Sequence, residues 1–112
     1  MPLPEFPLEV SAVEASAFVK TDPTNARILD VREPFEVEIC QLAGAEKIPM
    51  RQIPENVSTL PRDVHLLVLC HHGARSMRVT QFLRGQGFTA VSNVAGGIDA
   101  WAQEVDPTLP RY

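Results

Sequence analysis

The sequence lacks several features that would assign it to a specialised class of protein. It has only two cysteines, Cys40 and Cys70, among 112 residues, which is too few for a disulfide framework and is typical of a reducing compartment. No apolar run approaches the length of a bilayer span, and the N-terminus has no basic segment followed by an apolar one. We therefore expect a cytoplasmic protein that makes no membrane contact.

The sequence also lacks the basic excess that is typical of nucleic-acid-binding proteins, since its net charge is -4. The remaining composition, 45% hydrophobic and 21% charged, is ordinary for a soluble globular protein. The length suffices for one hydrophobic core and not for two. We expect a single domain over residues 1–112, with its core at about 8–105 and a C-terminal tail at 106–112.

Acidic residues are absent from one long stretch, between Asp63 and Asp99. Positive charge in that stretch would stabilise a cysteine thiolate and attract an anionic substrate. The less favoured alternative is chance clustering on a solvated face. The basic or titratable residues found there are Arg75, Arg78, Arg84, His65, His71 and His72.

Short apolar segments alternate with helical ones along the chain. Strands are predicted at 8–10, 26–31, 46–48, 64–69 and 90–94, and helices at 12–20, from Pro34, from Ser76 to Gly85, and at 98–104. An extended lead-in is predicted at 1–7, and a polar connection with some helical character at 51–60. This alternation indicates an α/β domain with a mainly parallel sheet, in which the almost wholly apolar 64–69 is the central strand. Trp101 and Phe82 are expected in the core.

Cys70 directly follows that central strand, at the sheet edge where α/β proteins bind ligands. Its thiolate would be stabilised by the N-terminus of the helix near Ser76, by backbone N–H groups of residues 71–76, and by the Arg75 guanidinium. Gly73 would allow the tight curvature of that loop. The alternative is an unreactive cysteine packed in the core. The polar residues HHGARS that follow Cys70 argue against it, because they are poorly suited to a hydrophobic core.

Cys70, His71 and His72 are also potential zinc ligands. A structural zinc site needs four ligands, usually in two separated pairs, and only Cys40 and His65 could supplement these three. Neither supplement has the spacing of a zinc knuckle. We expect no metal, and we place the two histidines at the mouth of the site or in solvent.

Three motifs in order then identify a family. They are DVREP at 30–34, followed by GA at 44–45 and IP at 48–49; CHHGARS at 70–76; and GGIDAW at 96–101. With these motifs the chain resembles a single-domain rhodanese, a thiosulfate sulfurtransferase. The resemblance implies a rhodanese-like three-layer domain, with a mainly parallel sheet flanked by helices on both faces. It implies Cys70 as the catalytic residue and, as substrate-binding residues, His71, His72, Gly73, Ala74, Arg75 and Ser76.

The resemblance also implies a reaction. Cys70 would take the sulfane sulfur of a small donor such as thiosulfate as a persulfide and pass it to a thiol or cyanide, with no cofactor. Cysteine-dependent phosphatases of related fold have five residues between cysteine and arginine, whereas only four residues separate Cys70 from Arg75. The resemblance implies that this shorter loop suits a single sulfur atom, which leaves phosphatase chemistry as a minor alternative. The alternative function is a sulfur-carrier or regulatory module that receives persulfide from a relay protein. Asp30 and Arg32 would tune the site or, as we favour, fix loops through ion pairs.

Overall fold

The fold of residues 6–112, described from a computed structural model, is built on one five-stranded sheet with the strand order β1-β5-β4-β2-β3. The lead-in predicted at 1–7 therefore lies mostly outside the described residues. Every strand pairing in the described part of the chain is parallel. The strands are β1 (Glu9–Val10), β2 (Ala26–Asp30), β3 (Glu46–Lys47), β4 (His65–Leu69) and β5 (Val91–Val94).

The helices lie on both faces of this sheet and form a three-layer α/β domain. Their bounds are α1 (Ala12–Thr21), α2 (Pro34–Ile39), α3 (Ile53–Asn56), α4 (Ala74–Gly85) and α5 (Gly97–Glu104), with a 3-10 turn at Met50–Gln52. Helices α1 and α5 contribute to one apolar cluster, and α4 contributes to the other. The predicted fold class is confirmed.

The central strand β4 explains the continuous apolar run in the sequence. All five of its residues are buried, because side chains of a parallel strand alternate between two covered faces. Leu67 and Leu69 pack in the α1/α5 cluster, whereas Leu66 and Val68 pack in the α4 cluster. The strand thus joins the two halves of the core and holds Cys70 at its carboxyl end.

Local signals set the helix ends. Ser11 and Glu14 form the predicted capping box at the start of α1, through reciprocal backbone bonds of 3.0 and 2.8 Å. Helix α4 begins at Ala74, two residues before the predicted start. Its N-cap is Gly73 with a φ of 110°, a conformation that glycine adopts without steric cost.

The remaining differences from the predicted elements are small. Each strand is one residue shorter than predicted, and the connection at 51–60 contains α3 and most of the 3-10 turn. Trp101 is in the core as expected, but Phe82 is 38% exposed beside Met50 and Arg78 on the outer face of α4. Across residues 6–112, no helix has the length and apolar character needed to cross a bilayer.

Candidate active site

The candidate site lies at the carboxyl edge of the sheet. Strand β2 ends at Asp30, and Cys70 directly follows β4, its neighbour in the sheet. Strand β5 leads to Gly96 at the same edge. Cys70 is 1% exposed, so its thiol lies at the base of the loop 70–76, which we call the active loop.

Two groups of the active loop donate toward the Cys70 sulfur. The Gly73 N–H lies 3.1 Å from Sγ, and the Ser76 hydroxyl oxygen lies 3.2 Å from it. Because α4 begins at Ala74, Ser76 is in the first turn and its side chain turns back toward the loop. An N–H and an O–H so placed can stabilise negative charge on sulfur.

Ser76 is in turn held by Asn93 of β5. The Ser76 hydroxyl lies 2.5 Å from Asn93 Oδ1, and the Asn93 amide nitrogen donates to Glu9 (2.8 Å) and to the Gly73 carbonyl (3.3 Å). Both of those partners are acceptors, which fixes the orientation of the amide. A buried side chain of a neighbouring strand therefore positions the hydroxyl beside Sγ.

The start of helix α5 packs directly against the backbone of the active loop. The Ile98 N–H donates to the Cys70 carbonyl at 2.9 Å, and the Asp99 N–H donates to the His71 carbonyl at 3.1 Å. A Cβ atom on Gly97 would lie 2.4 Å from both of those carbonyl oxygens. Only glycine permits this approach, which explains the second glycine of the third motif.

The Arg75 side chain is directed to helix α2. Its two terminal nitrogens bind the Glu36 carboxylate at 2.6 and 2.8 Å. This ion pair, acting against the effect of burial and supported by Tyr112, lowers the pKa of Glu36 to about 2. Arg75 therefore ties the active loop to α2, and much of its charge is compensated.

Asp30 and Arg32 form a second ion pair, which is completely buried. Arg32 donates to both carboxylate oxygens of Asp30, with a shortest distance of 2.7 Å, and to the Cys40 carbonyl at 2.8 Å. Burial opposes the charge of the guanidinium, but the bonds to Asp30 and Tyr112 keep the pKa of Arg32 above its usual range. Through Arg32 the pair joins the end of β2 to the backbone at Cys40 and so fixes the loop after β2. Removing either partner would be strongly destabilising, because it would leave a buried charge without a partner.

Tyr112, from the tail, joins these groups. Its ring stacks on His71 at 3.7 Å with an angle of 8°, and its hydroxyl lies 2.8 Å from Glu36 and 3.1 Å from an Arg32 nitrogen. Burial raises the pKa of Tyr112 to about 12, so the hydroxyl keeps its proton. His71 is also stacked on His72, at 3.8 Å.

One group of side chains near the loop could hold a cation. His71, His72 and Asp99 place ligand atoms within 4.8 Å of one another. Asp99 already accepts bonds of 2.9 Å from both Arg111 and Gln103, so we assign no ion to this group. His65 cannot complete a zinc site with Cys70, because His65 begins β4 and Cys70 follows its opposite end.

The structure thus brings together Cys70, Gly73 and Ser76 at the sulfur. The other predicted site residues lie around them: Ala74 opens α4, the His72 side chain is 66% exposed, and Arg75 is bound to Glu36. Sequence reasoning missed Glu36, Asn93 and Tyr112. The polar residues Ser92 and Asn93 within a predicted strand were a usable signal for Asn93, whereas the aperiodic tail offered none for Tyr112.

Comparison with known proteins identifies the fold and the family. The model of the rhodanese-like domain matches residues 11–104. A sulfurtransferase of Allochromatium vinosum is 35% identical over 88 residues, covering 79% of this chain and 82% of the relative. The human single-domain sulfurtransferase TSTD1 superposes with a TM-score of 0.79 at 26% identity, covering 88% of this chain and 98% of that one.

A further relative is longer than this chain. The rhodanese-like/PpiC domain-containing protein 12 of Arabidopsis thaliana is 44% identical over 91 residues, which are 78% of this chain and 30% of that protein. This chain spans less than a third of the length of the first curated relatives that it matches. The match nevertheless includes the strand, active loop and helices that build the site described above, and this chain belongs to the rhodanese-like domain family of sulfurtransferases.

Proposed function

We propose that the protein transfers sulfane sulfur through a persulfide on Cys70. The observation that carries this proposal is the placement of Gly73 N–H and Ser76 O–H at 3.1 and 3.2 Å from Sγ. Both groups favour a negatively charged sulfur over a neutral one. The loop that holds them also leaves Cys70 nearly buried, which suits a small donor such as thiosulfate.

The reaction consists of two displacements at sulfur. The Cys70 thiolate attacks the outer sulfur of thiosulfate, a sulfur–sulfur bond forms to Sγ, and sulfite leaves with the electron pair of the broken bond. A thiol or cyanide then attacks the terminal sulfur of the persulfide, which restores the thiolate. Neither step needs an external oxidant, a reductant or a cofactor. In the persulfide the terminal sulfur carries the negative charge that the loop stabilises.

Mass spectrometry of the intact protein tests the proposal. After exposure to thiosulfate the wild type is expected to gain one sulfur atom, and cyanide is expected to remove it. Cys70→Ser abolishes the gain because the nucleophile is lost. Cys40→Ala is the matched control, since Cys40 is also buried but packs in the α1/α5 cluster, whereas Cys70 packs in the α4 cluster.

A gain of sulfur by Cys70→Ser equal to that of the wild type would refute Cys70 as the acceptor. The alternative function, a carrier loaded by another protein, keeps the same persulfide and changes only the donor. Its support is that related domains occur within longer proteins, as in the Arabidopsis relative. Loading by a persulfide-bearing protein but not by free thiosulfate would favour the carrier.

A further inference from the structure

The C-terminal segment 106–112 returns to the active site and is anchored along its length. The Asp106 N–H donates to the Trp101 carbonyl at 3.0 Å, and Leu109 packs against the α1/α5 cluster. Arg111 then pairs with Asp99 at 2.9 Å. The first two contacts bring Tyr112 to the carboxyl edge of the sheet, whereas the exposed Arg111–Asp99 pair adds little; we call residues 106–112 the strap.

Tyr112 supports the active loop near both of its ends, by direct contact at one end and through Glu36 at the other. Its ring lies on His71, the residue after the nucleophile. Its hydroxyl lies 2.8 Å from the Glu36 carboxylate, which binds Arg75, the residue before Ser76. One side chain therefore supports the loop directly on one side of Gly73 and through Glu36 on the other.

The direction of the hydrogen bonds at the hydroxyl is fixed by chemistry. Arg32 can only donate, and an ionised Glu36 can only accept, so Arg32 donates to the Tyr112 oxygen and Tyr112 donates to Glu36. The hydroxyl thus links the buried Asp30–Arg32 pair to the Glu36–Arg75 pair. The Tyr112 oxygen thereby connects the side chains of the two ion pairs, in addition to the direct bond of 3.2 Å from Arg32 to the Glu36 backbone carbonyl.

We propose that Tyr112 is a positioning residue that braces the active loop, keeping the Gly73 and Ser76 donors aimed at the Cys70 sulfur. The inference rests on the proposed function, because the loop so braced is the one assigned to sulfur transfer. Donors that are already oriented need no reorganisation when charge develops on sulfur. Removing the contacts of Tyr112 should slow persulfide formation while leaving the free energy of unfolding little changed.

The test compares Tyr112→Phe, which keeps the ring and removes the hydroxyl, with Tyr112→Leu, which removes both contacts. We expect kcat/KM for thiosulfate to fall about threefold in the first variant and about tenfold in the second. Amide hydrogen exchange of loop residues 71–76, followed by NMR, should accelerate in the same order. Amides of β4 should exchange as in the wild type, because global stability is little changed.

Arg111→Gln is the control within the strap, because the exposed ion pair between Arg111 and Asp99 contributes little to stability. Its activity and loop exchange should stay within twofold of the wild type. Wild-type loop exchange in both Tyr112 variants would overturn the inference while leaving the proposed function standing. If the wild type takes up no sulfur, the proposed function fails, and the exchange data alone still decide whether Tyr112 braces the loop.

Discussion

At the scale of single residues, the side chain that contacts the Cys70 sulfur through a hydrogen bond is the Ser76 hydroxyl. Ser76 lies within hydrogen-bond distance of both Sγ and Asn93 Oδ1 but has a single proton to donate. In the thiol form the sulfur can donate to Ser76, which donates onward to Asn93. In the thiolate or persulfide form Ser76 can instead donate to sulfur, giving up its bond to Asn93 Oδ1, so a neutral acceptor is exchanged for a negatively charged one.

Ser76→Ala is therefore expected to slow sulfur uptake from thiosulfate about threefold to tenfold, the usual effect of losing one hydrogen bond to a charged group. The uptake rate can be followed by quenching samples for intact-mass measurement. Ser58→Ala, at an exposed position away from the loop, is the control and should react as the wild type does. An unchanged rate in Ser76→Ala would mean that Gly73 alone supports the sulfur.

The sequence predicted that Gly73 and Ser76 lie beside Cys70 but not which other residues surround this loop. Cys70, Gly73 and Ser76 lie close together along the chain, so a strand, a glycine and a helix start were enough to indicate them. Glu36 and Tyr112 are 39 and 76 positions from the residues they bind, Arg75 and Glu36 respectively. The absence of acidic residues between Asp63 and Asp99 suggested a positive site, and only the fold reveals that α2 supplies a compensating carboxylate.

At the scale of secondary-structure elements, the site depends on how closely α5 approaches the active loop. The first N–H groups of a helix lack partners within the helix, and two of those in α5 bind the carbonyls of Cys70 and His71. The sequence motif GGIDAW indicated a turn into a helix at this point. It did not indicate that the start of this helix binds the backbone of Cys70 itself.

Gly97→Ala should consequently disrupt both the fold and the site. The added Cβ would meet two backbone oxygens at 2.4 Å and would sit at a φ of 61°, so we expect a loss of at least about 2 kcal/mol in the free energy of unfolding and severe loss of sulfur uptake. Chemical denaturation measures the first effect. Gly85→Ala is the matched control: among residues 6–112 no contact lies within 4 Å of the added Cβ, and stability should rise slightly. Equal stability of the two variants would contradict the close approach.

At the scale of the whole molecule, the two ends of β4 differ in charge: ion pairs lie at the carboxyl end and a buried, neutral histidine lies at the amino end. The carboxyl end holds the ion pairs of the active site. The amino end holds His65, which is 2% exposed, stacks on Phe6 at 3.8 Å and lies 2.9 Å from the Ser92 hydroxyl. Burial, aided by the positive charge of Arg84, lowers the pKa of His65 to about 4. The folded protein therefore contains a neutral histidine that the unfolded chain would protonate near pH 6.5.

This difference predicts how stability depends on pH. Because the pKa of His65 is lower in the folded state, its contribution is complete above about pH 6.5 and is lost progressively as the pH falls toward 4. Between pH 7 and pH 5 the free energy of unfolding should fall by up to about 2 kcal/mol from this group alone. Urea denaturation of the wild type and of His65→Gln isolates the contribution, since the variant keeps a polar group for Ser92 but cannot titrate. Their difference in stability should depend on pH in this window, and parallel curves would show that His65 is not the group responsible. Glu36, with its pKa of about 2, should cause a separate loss only as the pH falls below about 4.5, where the unfolded chain begins to bind the proton first.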